Sequence, residues 1–184
     1  MSGAFHAFVD ESIRTDGFYR LTAVRMRSRD LGAVTRVVRQ GIPKGQQRVH
    51  FSAERDRRRR MILRSYVALD ISAVTFLAPY DRRTDDQVAR DRCLRAFAVA
   101  AEGLEIVSVV LDSRGASRDR LDRSTLGRAL ARASNDRMAY AHRGSRDEVL
   151  LALPDAIGWA VGAGNLGGRS WSRSASCATP RNRG

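Results

Sequence analysis

Short apolar runs separated by polar turns are the feature of this 184-residue chain that most restricts its fold. The first run, AFHAFV followed by Asp10, and the second, FYRLTAVRMR over 18–27, flank a polar loop that contains Gly17. This pattern predicts a β-hairpin. Apolar, β-branched runs at 71–80 and 105–112 then alternate with segments of helical period. We therefore expect an α/β fold, in which helices pack on a mixed β-sheet.

The segments between these strands have the spacing of amphipathic helices. Helices are predicted over 30–42, from an N-cap at Ser52 to about Leu69, and over the segments DDQVARDRCLRAFAVAAEGL and SRDRLDRSTLGRALARAS. Another helix is expected from Pro154 onward, and MAYAHR is interpreted as a short strand or extended segment. In the helix that contains SRDRLDRS, the residues predicted to face inward are Leu121, Leu126, Ala129, Leu130 and Ala133.

The two ends of the chain differ in character. Residues 1–164 carry all the apolar periodicity and are predicted to form one domain, whereas 165–184 are basic, small and polar and are predicted to be a disordered tail. No apolar run approaches the roughly 20 residues of a membrane helix. The N-terminus lacks the basic start and the small-residue cleavage site of a secretory signal. We expect a cytoplasmic protein without a membrane contact.

The formal net charge of +13 comes almost entirely from arginine, since Lys44 is the only lysine. So basic a domain is typical of a DNA- or RNA-binding protein, although a GC-rich coding sequence would also enrich arginine. In ERDRRRRMILR, helical spacing places Arg57, Arg60 and Arg64 on one stripe, and Ile62, Tyr66 and Leu69 on the inward one. The arginine stripe is a candidate nucleic-acid-binding surface, and a solvated face is the alternative.

Carboxylates stand where several apolar segments end or begin. FVDES contributes Asp10 and Glu11, VVLDS contributes Asp112, and LPDAIGWA contributes Asp155. A cluster of carboxylates is stable only if protons or a cation neutralise it, and hard oxygen ligands suit Mg²⁺ or Mn²⁺. Paired ions about 4 Å apart stabilise the attacking and leaving oxygens of phosphodiester hydrolysis. These four acids are therefore candidate catalytic residues, with Asp10, Asp112 and Asp155 as metal ligands.

Each acid also has a structural explanation. Asp10 and Asp112 could start turns, and an acid at the position of Asp155 stabilises the first turn of a helix. Glu11 alternates to the opposite face from Asp10 if the strand continues, which makes it a candidate solvated residue. Glu54 has the same helix-start explanation as Asp155. His50, beside a phenylalanine, is more typical of a packed or hydrogen-bonded histidine than of a ligand.

Four motifs, in order, resemble a bacterial family known as domain of unknown function 3800. They are FVDESIRTDGFYRLTAVRM, RVHFSAERDRRRRMIL, VVLDSR and LLALPDAIGWAVGAG, and together they span roughly residues 5–164. The family is similar to ribonuclease-H-like proteins, so the resemblance implies a mixed five-stranded sheet and an acidic, metal-dependent nuclease site. Ile13 stands where the family usually has a glycine after Asp-Glu-Ser.

Carried onto these positions, the resemblance implies that Asp10, Asp112 and Asp155 are metal ligands, with Glu11 or Glu54 as a fourth acid. Asp81, which ends TFLAPYD, could take the strand-end role instead of Asp112. Two functions follow as hypotheses. One is a Mg²⁺- or Mn²⁺-dependent nuclease acting on DNA, RNA or a hybrid. The other, favoured by Ile13, is a nucleic-acid-binding or accessory protein with a degenerate site.

Overall fold

The computed structural model describes residues 4–81, 83, 85–133, 135 and 137–163, together with the backbone of 172–176. Six strands form one sheet: β1 (Phe5–Ile13), β2 (Phe18–Arg27), β3 (Ser72–Pro79), β4 (Ile106–Asp112), β5 (Ala139–Arg143) and β6 (Ser172–Ser176). The helices are α1 (Leu31–Gln40), α2 (Asp56–Val67), α3 (Asp86–Gly103), α4 (Ala116–Arg132) and α5 (Ala152–Gly162).

The order of the strands across the sheet is β5-β4-β1-β2-β3-β6. β1, β2 and β3 form an antiparallel meander, β4 and β5 continue in parallel from β1, and β6 pairs in parallel with β3. The predicted hairpin and the predicted mixed sheet are both confirmed, although the sheet has six strands where the family resemblance implies five. Within the predicted disordered tail, 172–176 form a strand instead, and the rest of the tail lies outside the described residues.

β1 lies at the centre of the sheet and is covered on both faces. Three successive residues, Ala7, Phe8 and Val9, are buried, as expected of a strand between two helical layers. Phe8 belongs to the core cluster that includes residues of α1, α2 and α5. Ala7 and Val9 belong to the cluster that includes residues of α3 and α4. Alternation along β1 therefore sends successive side chains to different helices.

The inward stripe predicted for α2 is confirmed at Ile62 and Tyr66, which are buried. The predicted N-cap is wrong, because α2 begins at Asp56 and Phe51–Ala53 form a separate 3₁₀ turn. The prediction for Leu121 in α4 is also wrong, since this side chain is 48% exposed. Its neighbour Asp122 takes the inward position because a buried ion pair holds it there. No helix in the described part of the chain is long and apolar enough to cross a membrane.

Candidate active site

The register of the parallel strands β1 and β4 places two of the predicted acids next to each other. In the parallel pair of β1 and β4, Val9 lies opposite Leu111, and both side chains belong to the core beneath α3 and α4. Asp10 and Asp112 are the next residues along their strands, so the alternation of side chains turns both to the other face, on which α5 packs. The pleat and the parallel register therefore bring these two carboxylates together.

The third acid, Asp155, reaches the same place from the first turn of α5. α5 approaches the sheet closely at Gly158, where an added Cβ atom would lie 2.9 Å from the buried Thr22 Oγ1. The backbone N–H of Phe51 donates a hydrogen bond of 3.2 Å to Asp155 Oδ2. The close approach of α5 and this hydrogen bond together position the Asp155 carboxylate.

Asp10, Asp112 and Asp155 line one cavity of about 180 Å³. The loop between α1 and α2 and the loop between β5 and α5 supply the rest of its polar wall, which consists of Arg48, His50, Ser52 and Ser145. β1, β4 and α5 thus contribute one carboxylate each, and two loops contribute one guanidinium, one imidazole and two hydroxyl groups. The cavity is an acidic site with a cationic wall.

Burial and, for two of the three acids, neighbouring negative charges oppose ionisation in this cavity. Burial, and then the negative charges of Glu11, Asp112 and Asp155, raise the pKa of Asp10 well above its usual range. Burial together with the charges of Glu11 and Asp155 raises the pKa of Asp112 to about 6, although the charge of Arg48 lowers it. Burial also raises the pKa of Asp155. Like charges that oppose ionisation in this way favour binding of a proton or a cation.

The donor chemistry of the cavity fits a hard divalent cation, because its three acids offer carboxylate oxygens. Asp112 Oδ1 is buried and has no hydrogen-bond partner among the described residues, which leaves this oxygen available as a ligand. As the side chains stand, however, the described residues contain no group of three or more His, Cys, Asp or Glu side chains that could hold a metal ion.

The fourth candidate, Glu11, is separated from the other three acids. It points to the opposite face of β1, where Arg90 NH1 donates a hydrogen bond of 2.6 Å to Glu11 Oε2. Arg114 Nε lies 3.4 Å from Glu11 Oε1. The alternation predicted for Glu11 is confirmed, but two arginines hold its carboxylate, so it is not a freely solvated residue. Glu11 influences the cavity through its charge and does not line it.

The remaining candidate residues have different surroundings. Asp81 is exposed, does not line the cavity, and accepts a hydrogen bond of 3.0 Å from the Arg83 N–H. Glu54 forms an ion pair with Arg58, with 2.9 Å between Glu54 Oε2 and Arg58 Nε. His50 does line the cavity. Of these three, only His50 lies where the carboxylates converge.

The predicted arginine stripe lies on the outer surface of α2. Arg57, Arg60 and Arg64 are exposed and form no hydrogen bond or ion pair with the residues that the structure describes. Arg59, by contrast, donates hydrogen bonds to the carbonyl oxygens of Phe51 and Ser52, next to the cavity. The N-terminal half of α2 therefore borders the acidic site, with the stripe turned to solvent.

Sequence reasoning missed Arg48 and Ser145, which line the cavity from loops, and Arg90, which holds Glu11. The two loop residues stand in segments without periodicity, so no local pattern distinguishes them. Arg90 carried one weak signal. On the helical repeat of α3 it stands close to Cys93 and Phe97, on the buried face of the helix.

The strand order β5-β4-β1-β2-β3 and the helices on both faces define a ribonuclease-H-like α/β fold. The chain is similar to a protein in the solved structure of the PCNA:RNase HII complex from Archaeoglobus fulgidus, with a TM-score of 0.56 and 14% sequence identity. The match covers 91% of this chain and 81% of that one, and at such low identity it shows the fold alone. No family model and no curated protein matches the sequence, so the resemblance to the domain of unknown function 3800 family stays a prediction.

Proposed function

We propose that this protein is a Mg²⁺- or Mn²⁺-dependent nuclease that hydrolyses phosphodiester bonds of DNA or RNA. The observation that carries the proposal is the convergence of three carboxylates, Asp10, Asp112 and Asp155, from β1, β4 and α5 on one cavity. This convergence occurs where the parallel pairing of β1 and β4 ends, on the side of the sheet at which α/β proteins bind their ligands. The raised pKa values of the three acids add a second reason to expect a cation there.

In this proposal the chain's own groups divide the work. The three carboxylates would hold the cation, and the Phe51 N–H keeps one oxygen of Asp155 oriented. A divalent cation held there would supply an activated water and would stabilise the leaving oxygen. Asp112 Oδ1, which is buried and has no hydrogen-bond partner among the described residues, could bind the cation without the loss of a hydrogen bond. Glu11 stays paired with Arg90 on the far side of the strand.

Metal binding and cleavage test the proposal together. Mn²⁺ binding is measured by calorimetry, and cleavage is measured on single-stranded, duplex and hybrid substrates. Asp10→Asn should abolish cleavage. It should also reduce Mn²⁺ affinity by more than about 100-fold, because loss of a group that only hydrogen-bonds to a metal ligand already costs about 10- to 100-fold. The matched control is Asp70→Asn, because the Asp70 side chain is 79% exposed, pairs with Arg27, and like Arg27 does not line the cavity. If the wild-type protein cleaves none of the substrates with either metal, the nuclease proposal fails.

The arginine stripe supplies the expected contact with the nucleic-acid backbone. Replacing Arg57, Arg60 and Arg64 with glutamine should weaken binding of every sequence and flatten the salt dependence by about 0.7 to 0.9 per lost phosphate contact. Stability should change little, because all three side chains are exposed. A control with equal charge loss replaces the exposed Arg95, Arg120 and Arg123 of α3 and α4. Equal losses of affinity in the two triple variants would show that net charge, and not the stripe, attracts nucleic acid.

One observation favours a second function, that of a nucleic-acid-binding or accessory protein with a degenerate site. As placed, the acidic side chains of the described residues form no group that could hold a metal ion. In such a protein the basic surface would bind nucleic acid and the carboxylate cavity would be inactive. Mn²⁺ titration separates the two functions, since a degenerate site shows no binding that depends on Asp10.

A further inference from the structure

One wall of the acidic cavity carries a positive charge that has no part in the proposed binding of a metal ion by the carboxylates. Arg48 is partly buried in the wall of the cavity and donates hydrogen bonds to Ser145 Oγ and His50 Nε2. Both of these partners are uncharged acceptors. In the described part of the chain Arg48 forms no ion pair with an acidic side chain, although three carboxylates line the same cavity.

This geometry leaves the guanidinium able to bind an anion. A guanidinium carries five N–H donors in a planar fork that matches a phosphate group, and its charge is permanent. Ser145 and His50 hold the fork in place from two sides, so less side-chain freedom is lost when a ligand binds. Arg48 lines the same cavity as Asp112 and Asp155, so an anion bound to its guanidinium would lie beside these carboxylates.

We propose that Arg48, held by Ser145 and His50, forms a phosphate-binding subsite that places one backbone phosphate of a nucleic acid beside the three carboxylates. The inference rests on the proposed function and names the substrate group that this cavity takes. A phosphodiester is an anion that the three carboxylates repel, and the guanidinium fixed in the wall offsets part of that repulsion.

The size of the cavity indicates which part of the substrate enters. Its volume of about 180 Å³ is smaller than the roughly 300–1,000 Å³ of pockets that enclose a drug-sized ligand. The cavity is therefore large enough for a phosphate group and smaller than the pockets that enclose a whole drug-sized ligand. Contacts to phosphate carry no sequence information, so the subsite binds DNA or RNA without reading its sequence.

A different role for Arg48 makes an opposite prediction. If Arg48 were only an internal counter-ion for the acids, removing its charge would strengthen Mn²⁺ binding and leave nucleic-acid affinity unchanged. If it binds phosphate, removing its charge weakens nucleic-acid binding even in EDTA. The two roles are thus distinguished by binding measurements that require no catalysis.

The experiment measures fluorescence anisotropy of labelled single-stranded DNA, single-stranded RNA and a hybrid duplex, in EDTA, over a series of salt concentrations. Arg48→Gln should lower affinity roughly tenfold at low salt, as expected for one charge-assisted contact, and should reduce the salt slope by about 0.7 to 0.9. Arg48→Lys should keep the slope and recover part of the affinity. The control Arg95→Gln removes one exposed charge from α3, on the other face of the sheet, and should change neither quantity.

Competition identifies the source of the phosphate, and each remaining outcome has a defined meaning. Inorganic phosphate should displace the labelled oligonucleotides only weakly. If it displaces them as effectively as unlabelled oligonucleotide does, Arg48 binds a free anion and the inference is overturned. If the wild-type protein binds nucleic acid and Arg48→Gln binds equally well, the subsite is refuted while the proposed function stands. If the wild-type protein binds none of the three nucleic acids, the proposed function and the subsite both fail. Thermal unfolding of each variant shows that lost affinity does not come from lost structure, and the lysine variant keeps the test decisive if the glutamine variant fails to fold.

Discussion

Replacing Arg90 with methionine should destabilise the protein by about 3 kcal/mol, because it leaves a buried carboxylate without its cation. The Arg90 side chain is fully buried, and its Nε donates a hydrogen bond of 2.8 Å to Asp122 Oδ2. The Asp122 side chain is also fully buried. Arg90 NH1 donates to Glu11 and to the hydroxyl of Tyr19, so one guanidinium holds together α3, α4 and the first two strands.

The size of this loss of stability depends on which hydrogen bonds the Asp122 carboxylate keeps when Arg90 is replaced. Breaking a buried ion pair from one side costs about 3–5 kcal/mol. Gln87 Nε2 and His142 Nε2 still lie 3.1 Å and 3.3 Å from the Asp122 oxygens, which places the expected cost at the lower end. For a domain of this size, about 3 kcal/mol corresponds to a fall in melting temperature of roughly 6–12 °C.

The dependence on pH gives an independent check. Burial alone would raise the pKa of Asp122, but hydrogen bonds from His142 and Arg90 and the charge of Arg90 outweigh it, so this pKa lies below its usual value. A lowered pKa contributes stability above the unfolded-state pKa of about 3.9, and that stability is lost as the pH falls through the folded-state value. Without Arg90, Asp122 can become protonated at mildly acidic pH. The difference in stability between the wild type and Arg90→Met should therefore be smaller at pH 4 than at pH 7.

Urea unfolding followed by circular dichroism measures these differences in Arg90→Met, Asp122→Asn and the double variant. The double variant should lose less stability than the sum of the single losses, since no buried charge of this pair is left without its partner. Arg95→Met is the control on the same helix, because Arg95 is 61% exposed and lies 4.0 Å from its partner Asp91. If Arg90→Met costs less than about 0.5 kcal/mol, or if its loss of stability does not shrink in acid, the expected cost of an unpaired Asp122 carboxylate is refuted.

Two further predictions concern the site itself. Gly158→Ala should lower the free energy of unfolding by about 1–3 kcal/mol, because the added methyl group overpacks against Thr22. Gly32→Ala in α1, where an added Cβ meets nothing within 4 Å, should raise it by up to about 1 kcal/mol. Urea unfolding of both variants measures this, and equal effects would show that α5 can move away from the sheet without cost. Asp112, with its pKa raised to about 6, keeps a proton in the folded state that the unfolded state releases, so in EDTA the protein should lose stability as the pH rises from about 4 to about 7. Asp112→Asn should remove about 2 kcal/mol of that loss at pH 8, and a stability profile with the same pH dependence in wild type and variant would contradict the shift.

The sequence by itself determined where the strands lie, and it singled out Asp10, Asp112 and Asp155 as candidate site acids, with Asp81 as an alternative to Asp112. Apolar runs of strand length are local signals, and they located β2 at its observed bounds and β1, β3 and β4 within a few residues. Because side chains alternate along a strand, the sequence also predicted opposite faces for Asp10 and Glu11, although Glu11 stayed a candidate member of the acidic site. The inward stripe of α2 followed in the same way from the period of a helix.

Apolar patterns predicted burial less well where an ion pair buries a charged side chain. Leu121 was predicted to face inward because leucine is apolar, but Asp122 is buried there through its bond to Arg90. Similarly, 172–176 lack apolar periodicity and were predicted to be disordered, yet their backbone pairs with β3. Such pairing depends on the edge of β3, which a distant part of the chain provides.

Only the tertiary structure decided what surrounds the acids. Arg48 and Ser145 come from loops almost a hundred residues apart in the chain, with a separation of 97, and neither loop has a period that predicts where its side chains point. The narrow contact at Gly158 sets how closely Asp155 approaches the sheet. A short-range pattern specifies the face on which a side chain lies, whereas the distance between charges on separate elements depends on how the whole core packs. That distance governs the pKa values and the ligands of this cavity, so its chemistry was decided by the packing.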